Sequence, residues 1–424
     1  MLRATTAVLA AIVLSACAGA RGGADGGGGA VSSRDSAGIQ IVENRGQAWA
    51  TGAGWKVVDS PLVDIGGKSG EAAGDLDQVT GPVSLTDGRI VFANGATSEV
   101  RLYDGGGRHL HTSGRKGSGP GEYQTFGGLW AGPGDSVLVA DLLARRLTVL
   151  DRDGNLGRSF TLAGEGGSFV SVGGAVSFAL AAGWFADGSV LGLKQAFRMN
   201  DARAGVQRDS VTAIRYREDG TVRDTLGRWP GAETTKMEMS FGGRSMSAPM
   251  PVPLGRQSTS LVRGERLYLA RNDAWEIEVR DGGGKLLRLI RADVKATALT
   301  PADVAAHRKQ QLEALAAQPM MRMAPATLID QLKQRIESAS YPATLPFVQA
   351  LLADPDGNLW VQEVTSPADE AVRFAVVDSG GRLLGRVGLP ARLKPTSIGR
   401  DVVFGVWRDA DEVQHVRSYP IRKR

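Results

Sequence analysis

The chain alternates between short apolar runs and tight turns. Five segments open with a turn pair and run into a strand: 87–94 (DGRIVFAN), 134–141 (GDSVLVAD), 187–194 (DGSVLGLK), 264–271 (GERLYLAR) and 356–363 (DGNLWVQE). A weaker sixth copy lies at 402–407 (VVFGVW). Each is followed by another strand, often closed by Asp, as at Asp104, Asp151 and Asp378. A glycine turn then leads to one more strand. Asp-Gly and Gly-Gly pairs supply the positive φ angles of tight hairpins. An apolar stretch also precedes each first turn, most clearly at 82–85 and 348–352. These stretches are assigned as innermost strands.

Four short strands per repeat, joined by hairpin turns, predict an all-β propeller. Six copies give six blades. The last copy ends one strand short near Tyr419, and 55–65 supplies one strand too many before the first blade. The expectation is a six-bladed β-propeller, residues 55–424, closed by an N-terminal strand. Closure removes the open edges of a sheet.

Strand parity divides the loops between two faces. The tight turns fall between strands one and two or three and four, on one face. Three insertions, 195–209, 229–253 and 300–346, fall on the other. Loops on a rigid scaffold commonly carry function, so the insertion-bearing face is expected to be the working one. The 300–346 insertion, between blades four and five, reads as helical. Thr300 suits the N-cap, Pro301 the first turn, and Asp303 the positive end of the helix dipole. Leu312 and Leu315 share one helix face; Leu328, Ile329, Leu332 and Ile336 recur at helical spacing in a second helix. The pair reads as a lid on this face or as a cover over apolar surface between blades.

Apart from Met1, every methionine lies in these insertions, including Met237, Met239, Met320, Met321 and Met323. Methionine adapts to variable apolar partners and is a soft ligand for Cu(I). It also simply packs loops together, and the sequence leaves these readings open.

The N-terminus changes the picture of where the protein works. Arg3 precedes an apolar stretch from Ala4 to Leu14, and small residues then lead to Cys17, the only cysteine. The stretch is too short to span a bilayer and has the layout of a secretory signal. The run Leu14-Ser15-Ala16-Cys17 resembles a bacterial lipoprotein signal peptide, residues 1–16, with Cys17 as the lipidation site. Ala18, rather than Asp, implies the outer membrane by that resemblance. Residues 17–54 begin rich in Gly, Ala and Ser and are read as a flexible tether. The net charge is +5 and the pI about 9.4. Lys and Arg are scattered among Asp and Glu, which with export argues against nucleic-acid binding.

Val139-Ala140-Asp141, followed by Arg145-Arg146 and Val149-Leu150-Asp151, is similar to an NHL repeat. The segment 114–123 (GRKGSGPGEY) resembles the connector of NHL-like six-bladed propellers of bacterial lipoproteins. The resemblance implies the fold across 55–424 and transfers no binding site.

Catalytic motifs are scarce. No His-Glu-x-x-His or Gly-x-Ser-x-Gly occurs. The glycine-rich 114–121 lacks the Gly-Lys-Ser/Thr of a phosphate loop, and related links at 65–71 and 226–233 mark it as a blade crossing. Six polar residues, Asn94, Asp141, Lys194, Arg271, Glu363 and Arg408, are placed at the ends of second strands, around the channel mouth. Asn94, Asp141 and Glu363 have the chemistry of the calcium ligands seen in some propeller hydrolases and lactonases. The three cations among the six oppose a metal and favour a polar funnel or loop caps. The leading expectation is a lipid-anchored cell-envelope module that binds a peptide, protein or glycan on the insertion-bearing face. The alternative is a metal-dependent hydrolase, lactonase or lyase in the channel; the sequence specifies no cofactor.

Overall fold

The computed structural model describes residues 31–67, 76–163, 175–198, 204–241, 244–317, 321, 324–369 and 371–423. Six antiparallel blades follow one another: 80–113, 126–160, 175–230, 259–292, 348–389 and 393–422. Each of the first five contributes four strands in sequential order. Their innermost strands touch pairwise around a ring, and Thr80–Ser84 of blade one meets Leu393–Ile398 of blade six. This is the expected six-bladed propeller.

The apolar runs have a simple cause. Ile90–Asn94 and Val137–Asp141 are buried at every position. Alternate side chains of such a strand face different neighbours. Val137 and Val139 pack with blade one, whereas Leu138 and Ala140 pack with blade three. The hydrophobic core is therefore split into six clusters, each lying between adjacent blades. The outer strand Leu156–Phe160 is by contrast largely exposed, whereas that of blade five, Leu383–Leu389, is buried at alternate positions.

Turn chemistry repeats with the blades. The Oδ1 of Asp104 accepts the N–H groups of Gly106 and Arg108 at 3.0 and 2.9 Å. Asp151, Asp281 and Asp378 do the same two and four residues ahead. The aspartate that closes the third strand is thus a cap for the turn that follows. Gly284, in one of these turns, has φ +87, and a β-carbon there would run into the Leu226 carbonyl of blade three. Glycine is required at that position by conformation and by space.

Ring closure follows the expected route. Lys56–Val57 and Val63–Ile65 pair antiparallel with Gln414–Arg422 and supply the missing edge of blade six. Asp64 fixes this junction. One oxygen lies 2.7 Å from His415 Nδ1, and the other 2.8 Å from the Arg417 guanidinium. Arg417 itself stacks 3.4 Å over the Trp407 ring.

The segment before this strand departs from the expected tether. Val31–Ser36 and Ile39–Asn44 form a hairpin, and Ile39–Asn44 pairs in parallel with Leu286–Ala292, the outer strand of blade four. Ala48 and Trp49 then donate to the carbonyls of Leu383 and Leu384 on the outer strand of blade five. Trp49 occupies the space above Gly385 and packs 5.3 Å from Trp55, which packs 5.8 Å from Trp360. Residues 31–65 are a strap that crosses the rims of blades four, five and six. Ile41 and Val42 are buried there, which offsets the ordering cost that a polar tether could not meet.

The helices lie between blades four and five, as expected: α1 spans Pro301–Ala317 and α2 Ala326–Ser338. Thr300 and Asp303 form a reciprocal cap at α1. The Thr300 N–H donates to Asp303 at 2.8 Å, and the Asp303 N–H returns to Thr300 Oγ1 at 3.2 Å.

Deleting residues through Ile65 is expected to abolish a sharp, reversible melt and produce aggregation. A soluble, cooperatively melting monomer would refute closure by this strap. The milder Asp64→Asn change should cost about 1–3 kcal/mol, the value of losing charge-assisted hydrogen bonds, and lower Tm by several degrees. Acid should act through the turns. Hydrogen bonds from Arg108 hold Asp104 below the ordinary carboxylate range, and those from Asn155 do the same for Asp151. Because the folded values are depressed, this stability is complete above the unfolded carboxylate range and is lost as pH falls through the lowered values. Urea midpoints should match at pH 7 and 5 and fall below about pH 4. Asp104→Asn and Asp151→Asn together should shallow that fall.

Candidate functional site

The six polar residues expected at the channel mouth are mostly committed to local bonds. Asn94 is fully buried, and its side-chain oxygen accepts the Asp77 N–H at 3.1 Å. Asp141 accepts from Gln124 at 2.7 Å and also from Thr125, Leu143 and Ala144. It ties the link entering blade two to that blade's own turn. Glu363 takes two hydrogen bonds, 2.8 and 2.9 Å, from Arg386 on the outer strand of blade five. Arg271 lies 2.5 Å from Glu278, a buried carboxylate shared with Arg280. Among the described residues, Arg408 reaches only Glu412 of its own turn, at 3.5 Å. Lys194 is not at a strand end, because Val190–Arg198 runs four residues beyond it.

No group of three His, Cys, Asp or Glu side chains suited to a metal forms among the described residues. Asn94, Asp141 and Glu363 serve the local bonds just described. Loop capping, which the mixed charges favoured beside a funnel, accounts for Asn94 and Asp141.

The same capping role falls to residues that the repeat pattern missed. Asn272 is completely buried. Its amide donates to the carbonyls of Gln257 and Val348 at 2.7 and 2.8 Å and accepts the N–H groups of Phe347 and Val348 at 3.1 and 2.7 Å. It welds blade four to the first strand of blade five. Gln414 accepts the Val79 N–H at 2.8 Å and joins blade six to blade one. Asn272 lies two residues beyond the end of Arg266–Ala270, so alignment to Asn94 and Asp141 skips it.

The connector at 114–123 is a crossing, as expected. Arg115–Lys116 pairs in parallel with Glu122–Tyr123, and Glu122 accepts the Gly119 N–H at 2.8 Å while pairing with Arg115. Tyr123 is buried between blades one and two, and burial pushes its hydroxyl up to about 12.

The insertion-bearing face has a different character. Residues 229–253 contain a two-stranded ribbon, Thr234–Phe241 with Arg244–Pro251. Its register opposes Met237 to Ala248 and Met239 to Met246, positions on one face of the ribbon. Met237 and Met250 are half-buried, as is Met321 between the helices. Met320 and Met323 lie outside the described residues, as does Cys17.

Several apolar side chains are exposed on this side. Leu142, Leu143, Val206 and Val413 occupy turns between second and third strands, and all four are exposed. Leu328 on α2 is exposed as well, and no residue of that helix is buried. The helices are nonetheless fixed to the propeller. Ser366 donates to Asp303, and His307 Nδ1 lies 3.0 Å from the Tyr341 hydroxyl. Burial holds His307 below its ordinary value, which keeps the ring neutral at pH 7.

No family model matches this chain, and no curated protein matches it in sequence. Several solved structures resemble it at low identity. A Bacteroides fragilis protein named as exported is 12% identical, with a TM-score of 0.44 over 91% of this chain and 99% of that one. Virginiamycin B lyase from Staphylococcus aureus is 11% identical, with a TM-score of 0.38 over 86% of this chain and 99% of that one. Regucalcin, a calcium-binding protein from Agrobacterium tumefaciens, is 13% identical, with a TM-score of 0.35 over 88% and 95%. At such distances the likeness concerns the blades alone. The class defined here is the six-bladed β-propeller.

Asn272→Ala is expected to cost about 3 kcal/mol or more, since it strands several buried backbone groups at once. Arg408→Ala should change stability by no more than about 0.5 kcal/mol, as an exposed pair does. Chemical denaturation of both variants checks the division between weld and surface charge.

Proposed function

We propose that the protein is a lipid-anchored binding module of the cell envelope that holds a protein partner through its insertion-bearing face. The observation that carries this reading is the exposure of apolar side chains on the loops and helices of that face. Leu142, Leu143, Val206 and Val413 are exposed on its turns, and Leu328 is exposed on a helix that buries none of its own residues. Exposed apolar surface framed by polar residues is a common mark of protein contact. The half-buried methionines Met237, Met250 and Met321 suit an apolar partner surface of variable shape.

The anchoring part of the proposal rests on Cys17 and its resemblance to a lipoprotein cleavage site. Acyl chains contribute about 0.8 kcal/mol per buried methylene, so several chains hold a protein firmly at a membrane. A channel-centred metal enzyme receives no support from the side chains expected to serve it, which are spent on Asp77, on the turns of blade two and on Arg386.

Leu328→Asp with Leu332→Asp should abolish capture of the partner from native membranes while leaving circular dichroism and Tm unchanged. Capture of the same partner by the double variant would overturn the binding face. Cys17→Ala should move the protein from the membrane fraction to the soluble fraction. Retention in the membrane fraction would overturn the lipid anchor without bearing on the partner.

A further inference from the structure

A cavity of about 670 Å³ opens on the opposite, tight-turn face, between the outer strand of blade two and two turns of blade three. Its wall carries Arg158, Arg217 and Arg223 together with Asp187, Glu218 and Asp219. Phe160 contributes an aromatic ring, and Arg158 lies 5.5 Å over it.

These charges are arranged in pairs. Arg158 bonds Glu218, and Arg223 bonds Asp187 at 2.5 Å. Asp187 is held from behind by Arg215, at 2.8 Å. Arg215 is buried; it stacks 4.1 Å over Phe185 and also bonds Ser189, Glu265 and the Gly282 carbonyl. Burial alone would raise the Asp187 carboxyl, but hydrogen bonds from Ser189, Arg215 and Arg223 outweigh it and keep the group ionised. The back of the cleft is therefore rigid. Asp219 accepts from the Thr221 N–H and hydroxyl at 2.8 and 2.7 Å. Arg217 donates to the Val222 carbonyl at 2.6 Å, and among the described residues no carboxylate lies within ion-pair distance of it.

The balance of charge selects the ligand. An anion entering the cleft meets three carboxylates, and a cation meets three guanidinium groups. A hydroxyl avoids both penalties, because it donates to a carboxylate while accepting from a guanidinium. Each ion pair presents both partners side by side, so vicinal hydroxyls match it. The carbon face of a sugar ring also requires apolar contact, which the part of Phe160 that lines the cleft beside Arg158 supplies.

We propose that this cleft binds a neutral oligosaccharide, whose hydroxyls bridge the Arg158–Glu218 and Arg223–Asp187 pairs and whose ring carbons touch Phe160 at the cleft wall beside Arg158. The site is distinct from the partner-binding face and does not depend on it.

The test uses the full chain on an array of neutral glycans built from glucose, galactose, mannose and N-acetylhexosamine units, with oligogalacturonate and chitosan oligomers as charged controls. A neutral glycan should bind saturably by calorimetry, more tightly than either control. Glu218→Gln and Arg223→Ala alter exposed positions on the cleft wall; each should weaken that glycan about tenfold, the worth of a hydrogen bond to a charged group, with Tm unchanged. Preference for a charged oligomer, absence of any neutral binder, or unchanged affinity in both variants would overturn the proposal. Since Leu328→Asp with Leu332→Asp alters the other face, glycan binding should survive in that variant.

Discussion

A ring of blades has no stable intermediate edge. Each blade covers the apolar side chains of its neighbours, so six clusters are complete only when six interfaces exist. The last interface brings blade six against blade one, and the chain makes it by returning its N-terminal segment to the C-terminal strand. Val63 and Ile65 enter the same apolar cluster as Phe92 and Val416. Without them, that cluster would open to water and blade six would present a bare strand. The remaining devices, the aspartate turns and the Asn272 weld, act within a structure that this contact makes possible.

The parts of the fold that were legible in sequence are those set by neighbours in the chain. Asp104 and Asp151 cap turns two to four residues away, so their signal repeats visibly. The second strands read as continuous apolar runs because blades press on both their faces. The strap was opaque for the opposite reason. Asn44 bonds Arg291 and Gly381, 247 and 337 positions away. Val31–Ser36 is exposed at every residue, so its composition resembles a tether. The site was less legible than the fold. Asn94 and Asp141 have the chemistry of ligands and the geometry of caps, and only the identity of their partners separates the two.

The two faces of the disc follow from one topological fact. Tight turns leave little chain to vary, and their carboxylates are largely spent on backbone N–H groups. Links and second-to-third turns are free to lengthen, and here they carry a ribbon, a helical pair and exposed leucines. The apolar face and the charged cleft are thus products of different loop economies on the same blades, and a ligand on one leaves the other accessible.

The strap has a consequence for how the molecule is made. Its residues leave the ribosome first, yet their partners on blades four, five and six leave last. For most of synthesis this segment has nothing to bind. Its arrival on the rim therefore reports that the chain has been read through to its end. A product cut short before blade six leaves residues 56–65 without a partner and uncovers one face of blade five and one of blade one, features that proteases recognise. Completion of the strap therefore waits on the last strand of the chain.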